Sequence, residues 1–158
     1  MNDLIKQALD ENRMLRPEFV LERGYSSLVF PEYIDEDEFF ALAKSVHHDT
    51  TGDIIIHHAE YGLTGKTLRL KDLSSAWNDI FELSHEDMII EFQNNQLFIW
   101  LPSGEHLYVV FGKKTVIDGI GDYSSAKEVF SSYVNDSGMT EAGRNFLENA
   151  FEKYSINI

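Results

Sequence analysis

The chain has 158 residues, 43% of them hydrophobic and 13% aromatic, and it contains no cysteine. Zero Cys excludes a disulfide framework, a thiolate zinc site, an iron–sulfur centre and a cysteine nucleophile. Asp and Glu total 27 against 13 Lys and Arg, a net charge of −14, so nucleic acid and anionic membrane are disfavoured partners, since both are held by Lys and Arg neutralising phosphate.

Eleven Phe, seven Tyr and two Trp are ample material for a core, and the length suits a single domain over residues 1–158, because compact domains cluster at about 100–150 residues. No apolar run approaches the roughly 20 residues that cross a bilayer. The opening MNDLIKQALDENR lacks the basic-then-apolar order of a signal peptide. The expectation is a cytoplasmic protein without repeats, linkers or an internal domain boundary.

In chain order, Asn2–Asn12 reads as an amphipathic helix with Leu4, Ile5, Ala8 and Leu9 on one stripe. Pro17 interrupts it. Phe19–Phe30 is ambiguous between helix and strand up to Gly24 and reads as extended from Ser27. Asp35 then caps a helix, with Glu38 three residues on, acids in the first turn, and Phe39, Phe40, Leu42, Ala43 and Val46 as its apolar face. Residues 49–53 form a turn, Ile54–His58 a β-branched strand, Tyr61–Thr67 a loop or hairpin turn, and Thr67–Leu70 a further short strand. Ser74 or Ser75 caps a helix over Ala76–Leu83 that buries Trp77, Ile80 and Phe81.

Met88–Phe92, Gln96–Leu101 and Leu107–Phe111 are three apolar runs separated by the turn-forming Asn94-Asn95 and Pro102-Ser103-Gly104-Glu105. They predict an antiparallel meander, with Thr115–Ile117 as a possible fourth strand. Both parities of these runs are apolar, which predicts either packing on both faces of the sheet or helices on one face and a partner on the other. A helix from Asp122 or Ser124 buries Ala126, Val129, Phe130, Tyr133 and Val134 and ends at Asp136-Ser137-Gly138. Thr140 caps the last helix, whose stripe is Phe146, Leu147, Ala150, Phe151 and Tyr154. The predicted class is α+β: a central antiparallel β-meander of three to five strands, with N-terminal and C-terminal helices packed around it.

The charge is concentrated. Residues 31–60 hold Glu32, Asp35, Glu36, Asp37, Glu38, Asp49, Asp53 and Glu60 against the single Lys44, half of the net charge in under a fifth of the chain. Residues 113–158 carry seven acids and five bases. Acidity also serves solubility, so the concentration rather than the total marks a candidate anionic surface. Tyr33 and Tyr61 lie in polar, turn-like settings within it, where an aromatic side chain can anchor a partner.

Other motifs fall short of chemistry. His47-His48 and His57-His58 flank Asp49 and Asp53, a composition suited to zinc. Adjacent residues diverge on a helix or a strand, however, so at most one His of each pair converges. Gly112-Lys113-Lys114-Thr115 echoes the end of a phosphate loop but has Leu107 where the upstream glycine belongs, and Gly119-Ile120-Gly121 lacks the third glycine of a dinucleotide fingerprint. No GxSxG elbow is present. His85 and His106 read as exposed loop residues beside acids.

The sequence therefore leads to a small acidic protein-binding domain that neutralises a basic protein, with Tyr33, Asp35, Glu36, Asp37, Glu38, Asp49, Asp53 and Tyr61 as its partner-binding residues. The biological setting that fits is an immunity protein or antitoxin inhibiting a nuclease toxin, whose active site is positively charged to hold phosphates. No catalytic residue, cofactor or metal is expected. The alternatives are a metal-dependent hydrolase using the His47–His58 segment, and a self-associating structural or phage-related module.

Overall fold

The computed structural model describes residues 3–46, 51–60, 64–92 and 95–158, and statements of absence below concern those residues. Among them the chain forms α1 (Leu4–Ala8), α2 (Pro17–Glu22), β1 (Ser26–Pro31), α3 (Glu36–Lys44), β2 (Thr51–Ala59), β3 (Lys66–Asp72), α4 (Leu73–Glu82), β4 (Asp87–Phe92), β5 (Leu97–Leu101), β6 (Leu107–Gly112), α5 (Lys114–Ile120), α6 (Tyr123–Asp136) and α7 (Glu141–Tyr154). No described helix is long and apolar enough to cross a membrane.

The α+β class holds, but the sheet is larger than three to five strands. It has six, all antiparallel, in the order β1-β6-β5-β4-β2-β3. The meander β4-β5-β6 is its centre. β1 joins the far side of β6, and the β2–β3 hairpin joins β4. The register slips between Thr51 and Ile54, where β2 meets β3 irregularly.

Of the two arrangements expected from apolar residues on both parities, the structure shows helices on both faces. Ile89, Phe98, Trp100, Val109 and Phe111 pack against α1, α2, α6 and α7 through Ile5, Val20, Phe130, Phe151 and Tyr154. The alternate residues Met88, Ile90, Phe92, Ile99, Tyr108 and Val110 pack against α3, α4 and α5 through Phe39, Ala43, Ala76, Ile80 and Ile117. The sheet is thus the middle of three layers.

Local expectations meet the structure unevenly. Asp35 caps α3 and Glu38 returns the hydrogen bond, a complete capping box. Asp122 caps α6 and Thr140 caps α7. For α4 the cap is Asp72 instead of a serine, and Ser75 donates its hydroxyl to that same carboxylate. Thr115–Ile117 is helix rather than strand. The free edge of β6 is already taken by β1, so Ile117 buries its side chain from a helix. The first helix ends at Ala8, because Leu9 bridges to Leu15 and Asp10 accepts from the amides of Asn12 and Met14 to turn the chain. Three residues placed on buried stripes, Phe81, Val129 and Phe146, are exposed.

Candidate functional site

Strand register sorts the charged segments onto two ends of the sheet. Pro31, Leu107, Leu101, Met88, His58 and Lys66 stand at one end; Ser26, Gly112, Leu97, Phe92, Ile54 and Leu70 stand at the other. Tyr33 and Asp35 leave β1 at the first end. Asp53 lies at the second, where its carboxylate sits 3.8 Å from Arg69 on β3. The acidic segment 31–60 therefore does not form one continuous face. Asp49 and Tyr61 lie outside the described residues.

At the first end a groove of about 460 Å³ opens between the start of α3, the exposed side of α4 and the sheet. Its walls carry Tyr33, Ile34, Trp77, Phe81, Met88 and Leu101, and Asp35 and Glu86 supply carboxylates. Phe81 is 70% exposed and Tyr33 55% exposed. Single exposed apolar side chains are ordinary on a protein surface, but aromatic side chains clustered in a groove and rimmed by charge have the make-up of an interaction site. The chain enters the site through a constrained turn. Glu32 adopts φ +66°, a conformation costing roughly 1–2 kcal/mol for a residue with a Cβ. Its amide donates to the His106 carbonyl at 2.9 Å, and the next residue, Tyr33, lays its ring against the His106 imidazole, centroids 5.2 Å apart.

Not every acid at the start of α3 faces outward. Asp35, Glu36 and Asp37 are exposed. Glu38 turns inward: one oxygen caps the Asp35 amide and the other accepts from the Tyr108 hydroxyl at 3.0 Å. Burial raises the Tyr108 phenol well above its ordinary value, and the neighbouring Glu38 charge adds to this. Glu38 is thus part of the frame that fixes α3 on the sheet.

The groove end also gathers acids that local reading did not single out. Glu86 arrives from the α4–β4 connection, Asp87 from the first position of β4 and Glu105 from the β5–β6 turn. Burial raises the Glu105 carboxyl, with His106 pulling it down and Asp87 pushing it up. Asp87 is 7% exposed; it pairs with Arg13 Nε at 3.2 Å and accepts the Ser103 amide at 2.9 Å. Trp77 and Phe81 were legible as apolar residues at helical spacing, but nothing local distinguishes the side of that stripe left uncovered.

The histidine segment is divided by strand geometry. His57 and His58 point to opposite faces of β2; His57 Nε2 meets Glu91 at 2.9 Å and His58 Nδ1 meets Glu86 at 3.0 Å. His47 and His48 lie outside the described residues.

The fold and site together define an α+β domain with an acid-rimmed aromatic groove at one end of its sheet. No family model, no curated protein and no solved structure matches the chain.

Proposed function

We propose that this chain is a protein-binding domain whose groove between α3 and α4 receives an apolar side chain of a basic protein. The observation that carries this reading is Phe81, 70% exposed on the wall of a groove that Tyr33 and Trp77 also line. Aromatic anchors in a pocket supply most of the binding energy of such interfaces. Asp35, Glu36 and Asp37 at its mouth supply the field that draws a cationic partner and rejects an acidic one. Asp49, Asp53 and Tyr61 are not needed for this version of the surface.

The biological role we assign is that of an immunity protein or antitoxin. A nuclease toxin holds phosphates with a positively charged active site, and a rigid carboxylate surface occupies the same field. Neutralisation then needs no chemistry from this chain, only occlusion of the basic site.

The test is recovery of tagged protein from its native host at low salt. A basic partner held near 1:1, released by high salt, and toxic when expressed without this chain is the expected result. Recovery of the chain alone, or of a partner whose toxicity this chain does not relieve, overturns the inhibitor role.

A further inference from the structure

Beside the groove, and sharing Glu86 with it, three side chains from two connections converge on one point. Glu60 follows β2, and His85 and Glu86 precede β4. One ligand atom from each lies within 4.8 Å of the other two. His85 Nε2 is 3.5 Å from Glu86 Oε2 and 3.9 Å from Glu60 Oε1. Zinc bonds of about 2.0–2.1 Å in a tetrahedral arrangement put ligand atoms about 3.3–3.4 Å apart, so His85 and Glu60 close by about 0.5 Å and the two carboxylates, within 4.8 Å of each other, by up to about 1.5 Å, movements that rotation of the two exposed side chains supplies.

The third ligand is already supported. Glu86 is partly buried, and its other oxygen, Oε1, is held by His58 Nδ1 at 3.0 Å. A second group that fixes a ligating carboxylate in this way is characteristic of metal centres, where losing it costs roughly 10–100-fold in affinity.

The geometry points to a divalent transition-metal site, of which zinc is the best match, with Glu60, His85 and Glu86 as ligands and His58 as the residue that orients Glu86. Imidazole with carboxylates suits zinc and does not suit calcium or magnesium, which take all-oxygen sets. Two carboxylates and a neutral imidazole leave the metal-bound cluster close to neutral. Because Glu60 and His85 are exposed, the fourth tetrahedral position opens to solvent. Lys66 shares the cleft with Glu60 and Glu86. This inference does not rest on the docking reading.

The experiment is calorimetric titration of the full chain with zinc chloride, alongside the variants His85→Gln, Glu60→Gln and the double variant H47Q/H48Q. His85 and Glu60 are exposed, so their replacement leaves the core intact; far-ultraviolet circular dichroism checks this. We expect one zinc per chain, the same affinity in H47Q/H48Q, and at least a tenfold weaker Kd in His85→Gln and in Glu60→Gln. No zinc uptake by the unaltered chain, uptake that His85→Gln leaves unchanged, or loss of uptake in H47Q/H48Q overturns the site.

Discussion

The Tyr108 hydroxyl donates to Glu38 Oε2 at 3.0 Å, and Glu38 Oε1 accepts the amide of Asp35 at 3.0 Å. One carboxylate therefore joins the first turn of α3 to the middle of the sheet, and it sets where Tyr33, Asp35 and the groove mouth stand. Removing the hydroxyl in Tyr108→Phe costs about 1.5 kcal/mol, the usual range for a hydrogen bond to a charged group. Glu38→Ala costs more, because the capping box goes with it. Urea unfolding of both variants checks the order; equal losses show that the cap contributes nothing.

The same phenol sets an alkaline limb. Its folded value lies above the unfolded one, so its contribution is complete below an unfolded value of about 10 and falls as pH rises above that. Tyr108→Phe flattens the decline in stability above this pH. An unchanged slope assigns the limb to other tyrosines, Tyr154 first, whose phenol burial also raises.

Docking and folding separate at the groove. Phe81→Ala changes folding stability by under about 0.5 kcal/mol, as exposed positions do, and weakens the basic partner by about 2 kcal/mol, a thirtyfold loss. The triple variant D35N/E36Q/D37N keeps an effective cap, since Asn serves as well as Asp at that position. It slows association and flattens the dependence on salt. Stopped-flow association at several ionic strengths measures both; unchanged rates remove this surface from the binding site.

The loop between α1 and α2 is fastened through Arg13, whose φ of +65° turns its side chain back to Asp87. Arg13 also reaches the Ala59 carbonyl at 3.4 Å. Arg13→Ala leaves Asp87 largely buried with only the Ser103 amide as partner, and it lowers stability by about 2–3 kcal/mol. Asp87→Asn, which keeps the shape and the acceptor for Ser103, lowers it less. A loss under about 0.5 kcal/mol in Arg13→Ala is incompatible with this fastening.

Glu105 works in the opposite sense to a paired carboxylate. Burial raises its folded value, so the fold favours its protonated form, and stability declines as pH climbs from the unfolded value of about 4.3 through the folded one. Glu105→Gln therefore melts higher than the unaltered chain at pH 7, and the difference closes below about pH 4. Thermal melts across that window check it. A variant that melts lower at pH 7 shows that the charge is stabilised after all.

Much of this molecule is local, and the local part was legible. The capping residues Asp35, Asp122 and Thr140 announce three helices because a short polar side chain ahead of an apolar stripe satisfies free amides within one turn. The central meander is readable because turn residues separate β-branched and aromatic runs, and apolar side chains on both parities require cover on both faces. The acidic mouth of the groove, Asp35 to Asp37, was visible as composition.

Tertiary structure alone decided the rest. Pairing of β1 with β6 joins residues about eighty positions apart, a choice no local window contains, and it leaves β6 no free edge for Thr115–Ile117, which forms helix instead of strand. Register, not sequence distance, separated Asp53 from Asp35 and brought Glu86 into the groove with Tyr33. Strand alternation parted His57 from His58 and gave each its own carboxylate. Whether an apolar stripe is core or contact surface depends on what area the sheet has left to cover, which is why Phe81 shares the spacing of Ile80 and ends in solvent.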